Sequence, residues 1–400
     1  MNSKFTLPLY TLLVLLFILS NQQLLIAQGH HHHSSIVKPP AHGHNHSVEQ
    51  KIYFPDLPNT KTISCDFHMH TVFSDGSVWP DIRVSEAVRE GIDCISTTEH
   101  LEYQPHSKDI PHPDRNRAYE LARASARNTN LIVIAGSEIT RQMPPGHSNA
   151  IFINDANPIL TEDPMDAFEE AARQGAFIFT NHPQWTAQRK DGIASYDPMH
   201  LELIEKNMLH GIEIVNEHSY SDEALQLALD YNLTLVGTSD VHGLTDWMYD
   251  IPHGGHRPVT LVFAKERDPK TIREALFNRQ TVVWFNNLFI GRQKWLTPIL
   301  KASLPIRVIG YQSDTQILEL ELVNATHSRF TLRNTTDYTF HEDASVFIVE
   351  PQSTKTLLVK TLQRVDTVKL KFEFLNGILA PNKHPVIDYT LAVEKLDEQL

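Results

Sequence analysis

Short apolar runs alternate with amphipathic segments over residues 61–290. The runs predict buried strands, and segments with apolar residues three or four positions apart predict helices. Regular alternation of this kind indicates parallel strands with crossover helices, and seven or eight units favour a barrel over an open sheet. The predicted strands are 62–67, 92–97, 131–136, 150–153, 176–179, 211–215, 234–237 and 258–264. The predicted helices are 81–90, 115–128, 164–174, 200–207, 222–231 and 269–278.

The pattern changes after about residue 300, where short alternating runs are separated by polar turns. This spacing predicts a small all-β domain, sandwich-like in form and placed at 296–400, with a structural or docking role. The predicted strands of this domain are 316–323, 329–332, 345–349, 356–359, 368–374 and 387–393.

The N-terminus has the pattern of an export signal. Lys4 precedes an apolar stretch that ends at Leu19, and small or polar residues follow to Ala27. The stretch is shorter than the roughly 20 apolar residues of a membrane span, so we expect a signal peptide at 1–27 that is cleaved near Ala27. An uncleaved anchor is the alternative. Residues 28–60 are rich in histidine and proline and predict a flexible leader. We therefore expect a periplasmic or secreted bacterial protein without a stable membrane span.

The composition of the chain indicates which kinds of molecule it can bind. Hydrophobic residues make up 41% and charged residues 21% of the chain, as in ordinary folded proteins. The formal net charge of −13 argues against nucleic-acid binding, because no basic excess exists to displace counterions. A small anionic substrate remains compatible with this charge if bound metals supply positive charge locally. The oligomeric state cannot be inferred from these features.

Histidine and carboxylate residues recur at the ends of the predicted strands. Side chains alternate along a strand, so His68 and His70 project from one face, as do Asp240 and His242. Imidazole is a neutral donor for divalent metals, and a carboxylate can bridge two ions while offsetting their charge. Barrel enzymes carry their chemistry at the C-terminal ends of the strands. The further candidate ligands are Asp75, His100, Glu138, His147 and His182.

Taken together and in this order, these motifs resemble the PHP (polymerase and histidinol phosphatase) superfamily. The resemblance implies an α/β fold, a distorted (β/α)7 TIM-like barrel at 61–295, that holds two or three divalent metal ions (manganese, iron or zinc). It also implies hydrolysis of small phosphate esters. The signal peptide and the C-terminal β domain are most similar to secreted bacterial members that act as phosphodiesterases.

The resemblance also implies a ligand assignment. His68, His70, Glu138 and Asp240 would hold a first metal, and Glu138 would bridge to a second metal held by His147 and His182. A third metal would lie among Asp75, His100 and His242. Many members have histidine where this chain has Asp75, and an anionic oxygen ligand favours manganese or iron over zinc.

The expected reaction is attack on phosphorus by a hydroxide that bridges two metals, with Glu138 and Asp240 holding the reacting centre. Arg141, three residues after Glu138, is the leading candidate to bind the phosphoryl oxygens. Few other cations are available apart from Arg257, so diesters are favoured over monoesters. The alternatives are a phosphomonoesterase of the histidinol-phosphatase type, an amidohydrolase-type hydrolase and a non-catalytic metal-binding surface protein. No lysine stands at a strand end to bridge metals in the manner of amidohydrolases.

Overall fold

The computed structural model describes residues 52–393. The expected signal peptide at 1–27 and most of the expected leader at 28–60 lie outside the described residues, as do residues 394–400. Among the residues that are described, no helix is both long enough and apolar enough to cross a membrane.

Residues 61–291 contribute eleven strands to a twelve-stranded curled sheet. These strands are β1 (Lys61–Asp66), β2 (Cys94–Thr97), β3 (Ile132–Thr140), β4 (His147–Ile151), β5 (Phe177–Thr180), β6 (Gly211–Asn216), β7 (Ser219–Tyr220), β8 (Thr234–Thr238), β9 (Val259–Ala264), β10 (Thr281–Phe285) and β11 (Leu288–Gly291). The helices are α1 (Pro80–Glu90), α2 (Arg117–Ser125), α3 (Pro164–Arg173), α4 (Pro198–Glu205), α5 (Asp222–Asp230), α6 (Thr245–Tyr249), α7 (Pro269–Phe277) and α8 (Gln293–Ser303).

Local sequence signals explain where the helices begin and end. Several helices begin at proline, whose missing N–H and fixed φ suit the first helical position. Asp268 caps α7 by accepting hydrogen bonds from the N–H groups of Lys270 and Thr271. Gly91 ends α1 in the left-handed conformation, at φ 76°. These boundaries agree with the predicted helices to within a few residues.

The curl of the sheet brings the segment with His68 and His70 beside the segment with Asp240 and His242. Strands β1, β2 and β3 are parallel neighbours, and β5, β6 and β8 form a second parallel group. The chain after β1 then meets the chain after β8. The N–H of His70 donates to the Val241 carbonyl over 3.1 Å, and the N–H of Asp240 donates to the His68 carbonyl over 2.9 Å. The two strand-end pairs predicted as ligands are therefore hydrogen-bonded neighbours.

Part of the sheet departs from the predicted regular alternation. Strand β4 is antiparallel to both β3 and β5, because the loop 141–146 is too short for the crossover that a parallel pair needs. Strand β9 runs antiparallel to β1 and to β10. The sequence pattern also missed β10, β11 and α8, which follow the last predicted helix closely.

The C-terminal region forms two four-stranded sheets, as expected for a small all-β domain. Along the strand Ile317–Asn324 every second residue is buried, which is the alternation of a strand with one face on a core. The first sheet contains β12 (Ile306–Tyr311), β13 (Ile317–Asn324), β17 (Ser353–Lys360) and β15 (Thr339–Phe340). The second contains β16 (Val346–Val349), β14 (Phe330–Asn334), β18 (Thr367–Phe374) and β20 (Val386–Ala392).

The barrel and the β domain share a core. A two-residue strand, β19 (Gly377–Ile378), pairs in parallel with β11 of the barrel sheet. Phe289 of β11 stacks on Phe330 of β14, with ring centroids 5.6 Å apart. Apolar side chains from both regions belong to one buried cluster. The exact domain boundaries at 295 and 296 stay a prediction.

Candidate metal centre

The predicted ligands meet at one end of the barrel. His68 and His70 follow β1, His100 follows β2, Glu138 lies near the end of β3, and His182 follows β5. Eight of the nine predicted metal ligands fall into three overlapping groups whose donor atoms lie within 4.8 Å of one another. The groups are His68 with His70 and Asp240; His100 with Glu138 and His147; and His70 with Asp75, His100 and His242.

The first group directs three lone pairs at one point. The His68 Nε2 and His70 Nε2 atoms lie 3.1 Å apart, and each lies 3.1 Å from Asp240 Oδ1. The His68 Nδ1 atom is 2.8 Å from a Glu213 oxygen, which assigns its proton to Nδ1 and leaves Nε2 unprotonated. The His70 Nδ1 atom is likewise 3.2 Å from the Ser74 hydroxyl. Three electron-pair donors that face one another need a cation between them.

Glu138 is the hub of the second group. Its Oε1 atom lies 3.0 Å from His147 Nδ1 and 3.7 Å from His182 Nε2. Its Oε2 atom lies 2.5 Å from His100 Nδ1 and 3.6 Å from His70 Nε2. The ninth predicted ligand, His182, therefore lies at the margin of the same cluster. Both oxygens of one buried carboxylate thus face different histidines, which is the geometry of a bridging ligand.

Asp75 is positioned by a tight turn after β1. A Cβ at Gly76 would lie 2.7 Å from the His70 carbonyl carbon, so only glycine fits beside the strand end. This close approach places the Asp75 carboxylate 3.2 Å from His242 Nε2 and 3.3 Å from His100 Nε2. The chain therefore brings Asp75 to the position that the sequence predicted for a third metal.

The donor set fits divalent metal ions. Five buried atoms of the cluster lack a hydrogen-bond partner among the described residues, although buried polar atoms in proteins are normally satisfied. All five belong to the predicted ligands, and three are carboxylate oxygens, which are suited to hard or borderline cations. They are Asp75 Oδ1, Glu138 Oε2, His147 Nδ1, His182 Nδ1 and Asp240 Oδ1.

Burial and the charges of the cluster both shift the pKa values of its members. Burial raises the pKa of Glu138, but His100 and His147 outweigh it and hold that pKa well below its usual range. Burial lowers the pKa of His70 to about 3. At His100 burial also lowers the pKa, but the charges of Glu138 and Asp75 outweigh it and raise the pKa to about 10. The carboxylates therefore stay ionised at neutral pH and hold a strong negative field, for which protons and metals compete.

A solved structure decides the family. A crystal structure of a two-domain protein of Bacteroides vulgatus, which contains a predicted PHP-like metal-dependent phosphoesterase, is 42% identical to this chain. The match covers 85% of this chain and 98% of that one, with a TM-score of 0.80. The chain belongs to the PHP superfamily. This finding confirms the predicted distorted barrel with its small C-terminal β domain.

The chain is also similar to other known proteins, over shorter stretches or at lower identity. A family model described as an Ig-like domain matches residues 304–390. A proposed metal-dependent phosphoesterase of Bifidobacterium adolescentis is 14% identical, covers 53% of this chain and 95% of its own, and has a TM-score of 0.38. An amidohydrolase of Chromobacterium violaceum is 14% identical, covers 46% and 88%, and has a TM-score of 0.34. A search of the curated proteins found no match.

Arg141 is the predicted site residue that the PHP barrel does not bring to the cluster. It follows β3 at an odd spacing from Glu138, so its side chain leaves on the opposite face. Its guanidinium donates to the Thr161 and Glu162 carbonyls and lies 2.7 Å from Glu102 Oε1. This placement gives no support to its predicted role as a phosphoryl ligand.

Arg257 is also held away from the metal centre. Its guanidinium is buried and pairs with Glu90 and Asp66 at 2.9–3.0 Å. It belongs to the scaffold beneath the site.

Glu213 is the main site residue that sequence reasoning missed. One of its oxygens accepts from Thr238 Oγ1 over 2.6 Å and contacts His68 Nδ1, and the other accepts from the His182 N–H over 2.7 Å. A carboxylate of this kind fixes the orientation and tautomer of a metal-binding histidine. The signal was present, because Glu213 is the one charged residue in the apolar strand β6.

An open cavity of about 460 Å³ leads from the cluster to the surface. None of its described lining residues is lysine or arginine. Besides predicted ligands, it is lined by Tyr103, Thr140, Trp185, Asn216 and Glu217. The cavity is large enough for a small ester substrate.

Proposed function

We propose that this chain is a metal-dependent phosphoesterase that cleaves small phosphate esters and prefers diesters. The observation that carries the proposal is the convergence of histidine and carboxylate donors around Glu138, beside an open cavity that six of the predicted ligands line. Family membership supports the same reaction class, since the Bacteroides vulgatus relative is described as containing a PHP-like metal-dependent phosphoesterase.

The proposed metal ligands are the nine residues predicted from the sequence. His68, His70, Glu138 and Asp240 would hold one ion, and Glu138 would bridge to a second ion held by His147 and His182. Asp75, His100 and His242 would hold a third. When bound, divalent ions supply a water of lowered pKa as the nucleophile and offset charge on the phosphoryl oxygens.

The chain's own residues keep the ligands in place. Glu213 holds the His68 ring by its Nδ1 atom and also binds the backbone N–H of His182. The Asn181 side-chain amide donates to Glu138 Oε1 over 2.9 Å, and the Asn216 amide donates to Asp240 Oδ2 over 3.2 Å. These bonds limit rotation of the carboxylates, so the reacting groups are oriented before substrate binds.

The preference for diesters is argued from the charge of the cavity wall. A phosphate monoester carries a second negative charge at neutral pH, and a site that takes it gains from a lysine or arginine beside the metals. The described lining of the cavity offers neither. A diester carries a single negative charge and places a second alcohol against the wall, which here includes two aromatic rings.

The test is hydrolysis by the full chain of bis(p-nitrophenyl) phosphate and p-nitrophenyl phosphate with added manganese. We expect turnover that EDTA abolishes and manganese restores, with the larger kcat/KM for the diester. Metal-dependent turnover of the monoester alone would contradict the diester preference. No metal-dependent turnover of either ester would contradict the proposed function.

We further propose that the chain is exported to the periplasm or beyond the cell. The support is the apolar stretch before Leu19 with its basic residue Lys4 and the small residue Ala27 after it. Expression of the full chain in a Gram-negative host, followed by fractionation and N-terminal sequencing, tests this. We expect a mature form that begins near residue 28, and an unprocessed cytoplasmic protein would contradict the proposal.

A further inference from the structure

Of the five cavity residues outside the predicted ligands, Thr140 and Asn216 hydrogen-bond to His100 and Asp240, whereas the other three, Glu217, Trp185 and Tyr103, make no hydrogen bond to a predicted ligand. Glu217 is the one carboxylate of the described cavity wall that does not belong to the ligand groups. The other two are large aromatic residues that remain exposed, by 47% for Trp185 and 52% for Tyr103. Two exposed aromatic side chains and one carboxylate outside the ligand groups therefore line the same cavity.

Glu217 occupies a position that disfavours glutamate. It is the first residue of the two-residue loop between β6 and β7, where Asn216 pairs with Ser219. Its φ is +48°, a left-handed conformation that glycine or asparagine adopts at lower cost. Its N–H is fixed to the Thr238 carbonyl at 3.2 Å. A strained residue that persists in a cavity wall is a candidate for function.

The Glu217 carboxylate also lacks a partner. Among the described residues it makes no side-chain hydrogen bond or ion pair, although the side chain is only partly exposed. Burial, followed by the charge of Asp240, raises the pKa of Glu217 despite nearby histidines. The described lining of the cavity offers no lysine or arginine to pair with this carboxylate.

The aromatic rings lie beside the metal ligands. The Trp185 ring centroid is 5.1 Å from that of His182 and 5.7 Å from that of His147. The Tyr103 ring is 5.9 Å from that of His100. A substrate phosphate at the metals would therefore direct its ester groups toward these rings. Aromatic faces attract cations, and quaternary ammonium groups are bound by this means in other proteins.

We propose that Glu217, Trp185 and Tyr103 form a subsite for a positively charged ammonium group carried by one alcohol of a phosphodiester substrate. The inference rests on the proposed phosphodiesterase function. The substrate class is an amino-alcohol phosphodiester, such as a choline or ethanolamine ester. The wall excludes a second anionic group by repulsion from Glu217 and accepts a cation through the carboxylate and the two rings.

A matched substrate pair isolates the charge. The first substrate is p-nitrophenyl phosphorylcholine. The second is p-nitrophenyl 3,3-dimethylbutyl phosphate, in which a neutral carbon replaces the ammonium nitrogen. The two share a leaving group and a shape. We expect the full chain with manganese to favour the choline ester by about tenfold in kcat/KM, through KM, a difference of about 1.4 kcal/mol. Glu217→Gln should remove most of this preference, so that the ratio of the two kcat/KM values approaches one. The control is Glu266→Gln. Glu266 is exposed and follows β9 at the end of the sheet away from the cavity.

Glu217→Asn guards against a folding artefact, because asparagine tolerates the left-handed conformation better than glutamate does. It should lose the preference while unfolding at the same or higher urea concentration. Equal hydrolysis of both esters by the wild type would overturn the inference and leave the phosphodiesterase function intact.

Binding gives a second readout that does not depend on turnover. Titration of the full chain with choline should change tryptophan fluorescence in a saturable manner. Trp185→Leu and Glu217→Gln should each abolish or weaken this change. If neither ester is hydrolysed, the proposed function fails, and this titration still decides the subsite. Absence of a saturable change in the wild type would overturn the inference.

Discussion

Two buried charge networks lie next to each other in this barrel, and they differ in how completely they are satisfied. Beneath the site, Arg257 pairs with Glu90 and Asp66, and Asp66 also accepts from Ser239. No polar side-chain atom of these four residues lacks a partner. In the cluster around Glu138, by contrast, five buried atoms lack a hydrogen-bond partner among the described residues, and four of them face only other groups of the cluster at ion-pair distance.

The difference separates scaffold from site. A buried charge that is fully paired holds elements together and has no capacity for a ligand. A buried charge with unsatisfied donors is costly unless something else binds it. The Arg257 network therefore ties β1, α1 and the chain before β9 together, whereas the Glu138 cluster requires a cation to complete it. The two networks should respond differently to substitution.

The largest effect on stability is expected for Arg257→Met. It leaves the Glu90 and Asp66 carboxylates buried without a cation, at a cost of about 3–5 kcal/mol in the free energy of unfolding. Urea denaturation measures this cost. The matched control is Arg267→Met, because Arg267 is exposed and its pair with Asp93 is worth at most about 1 kcal/mol. Equal losses in both variants would remove the distinction between the networks.

Glu138→Gln should give the largest loss of activity. The amide retains the shape but cannot bridge two cations as a charged ligand, so metal content and kcat/KM should both fall. Loss of an outer-shell partner typically costs about 10–100-fold, so loss of a shared ligand should exceed about 100-fold. Elemental analysis and kinetics on the same preparation measure both effects. Full metal occupancy in this variant would exclude Glu138 as the bridge.

Glu213→Gln should have an intermediate effect. The amide oxygen can still accept a hydrogen bond from His68 Nδ1. Without a negative charge, however, it favours the tautomer protonated at Nδ1 less strongly. Metal affinity should fall by about 10–100-fold, with activity restored by excess metal. Titration of activity against manganese measures the shift. An unchanged titration midpoint would show that Glu213 does not act through His68.

Acidification should weaken the Arg257 network through Glu90. Although burial raises the pKa of Glu90, Arg257 outweighs it and leaves the pKa below its ordinary value of 4.5. Because the folded pKa is depressed, this carboxylate stabilises the fold above pH 4.5 and loses that contribution as the pH falls through the folded pKa. Glu90→Gln should be less stable at neutral pH and show a flatter pH dependence below 4.5. A pH profile parallel to that of the wild type would contradict this linkage.

Arg141→Ala should have the smallest effect on catalysis. Its guanidinium contacts Glu102 and two carbonyls away from the cavity lining. We expect kcat/KM to change by roughly twofold or less, as for substitutions outside the site. A loss of 100-fold or more would restore the predicted role in binding the phosphoryl oxygens.

The sequence predicted which histidines and carboxylates cluster better than it predicted the residues that support them. Strand alternation was sufficient to place His68 with His70 and Asp240 with His242, because the period of a strand is fixed. Arg141 was expected near the cluster only because it follows Glu138 closely in sequence, whereas β3 continues to Thr140 and the Arg141 guanidinium contacts Glu102. Glu213 was missed because its partner His68 is distant in sequence, and no local pattern reports such a contact.

Local sequence patterns also failed to predict the irregular parts of the fold. The antiparallel direction of β4 depends on the length of one loop, and β10 and β11 form a hairpin that only tertiary pairing defines. Pairing between distant strands carries little sequence signature, and boundaries are less certain than the elements themselves.

The most direct test of the central claim is elemental analysis of the full chain purified without added metal, compared with Asp75→Ala. The satisfied Arg257 network and the unsatisfied Glu138 cluster together predict stoichiometric divalent metal in the cluster. We expect three ions in the wild type and two in Asp75→Ala. Absence of stoichiometric metal from the wild type would contradict the account, because the clustered donors would then have no function as ligands.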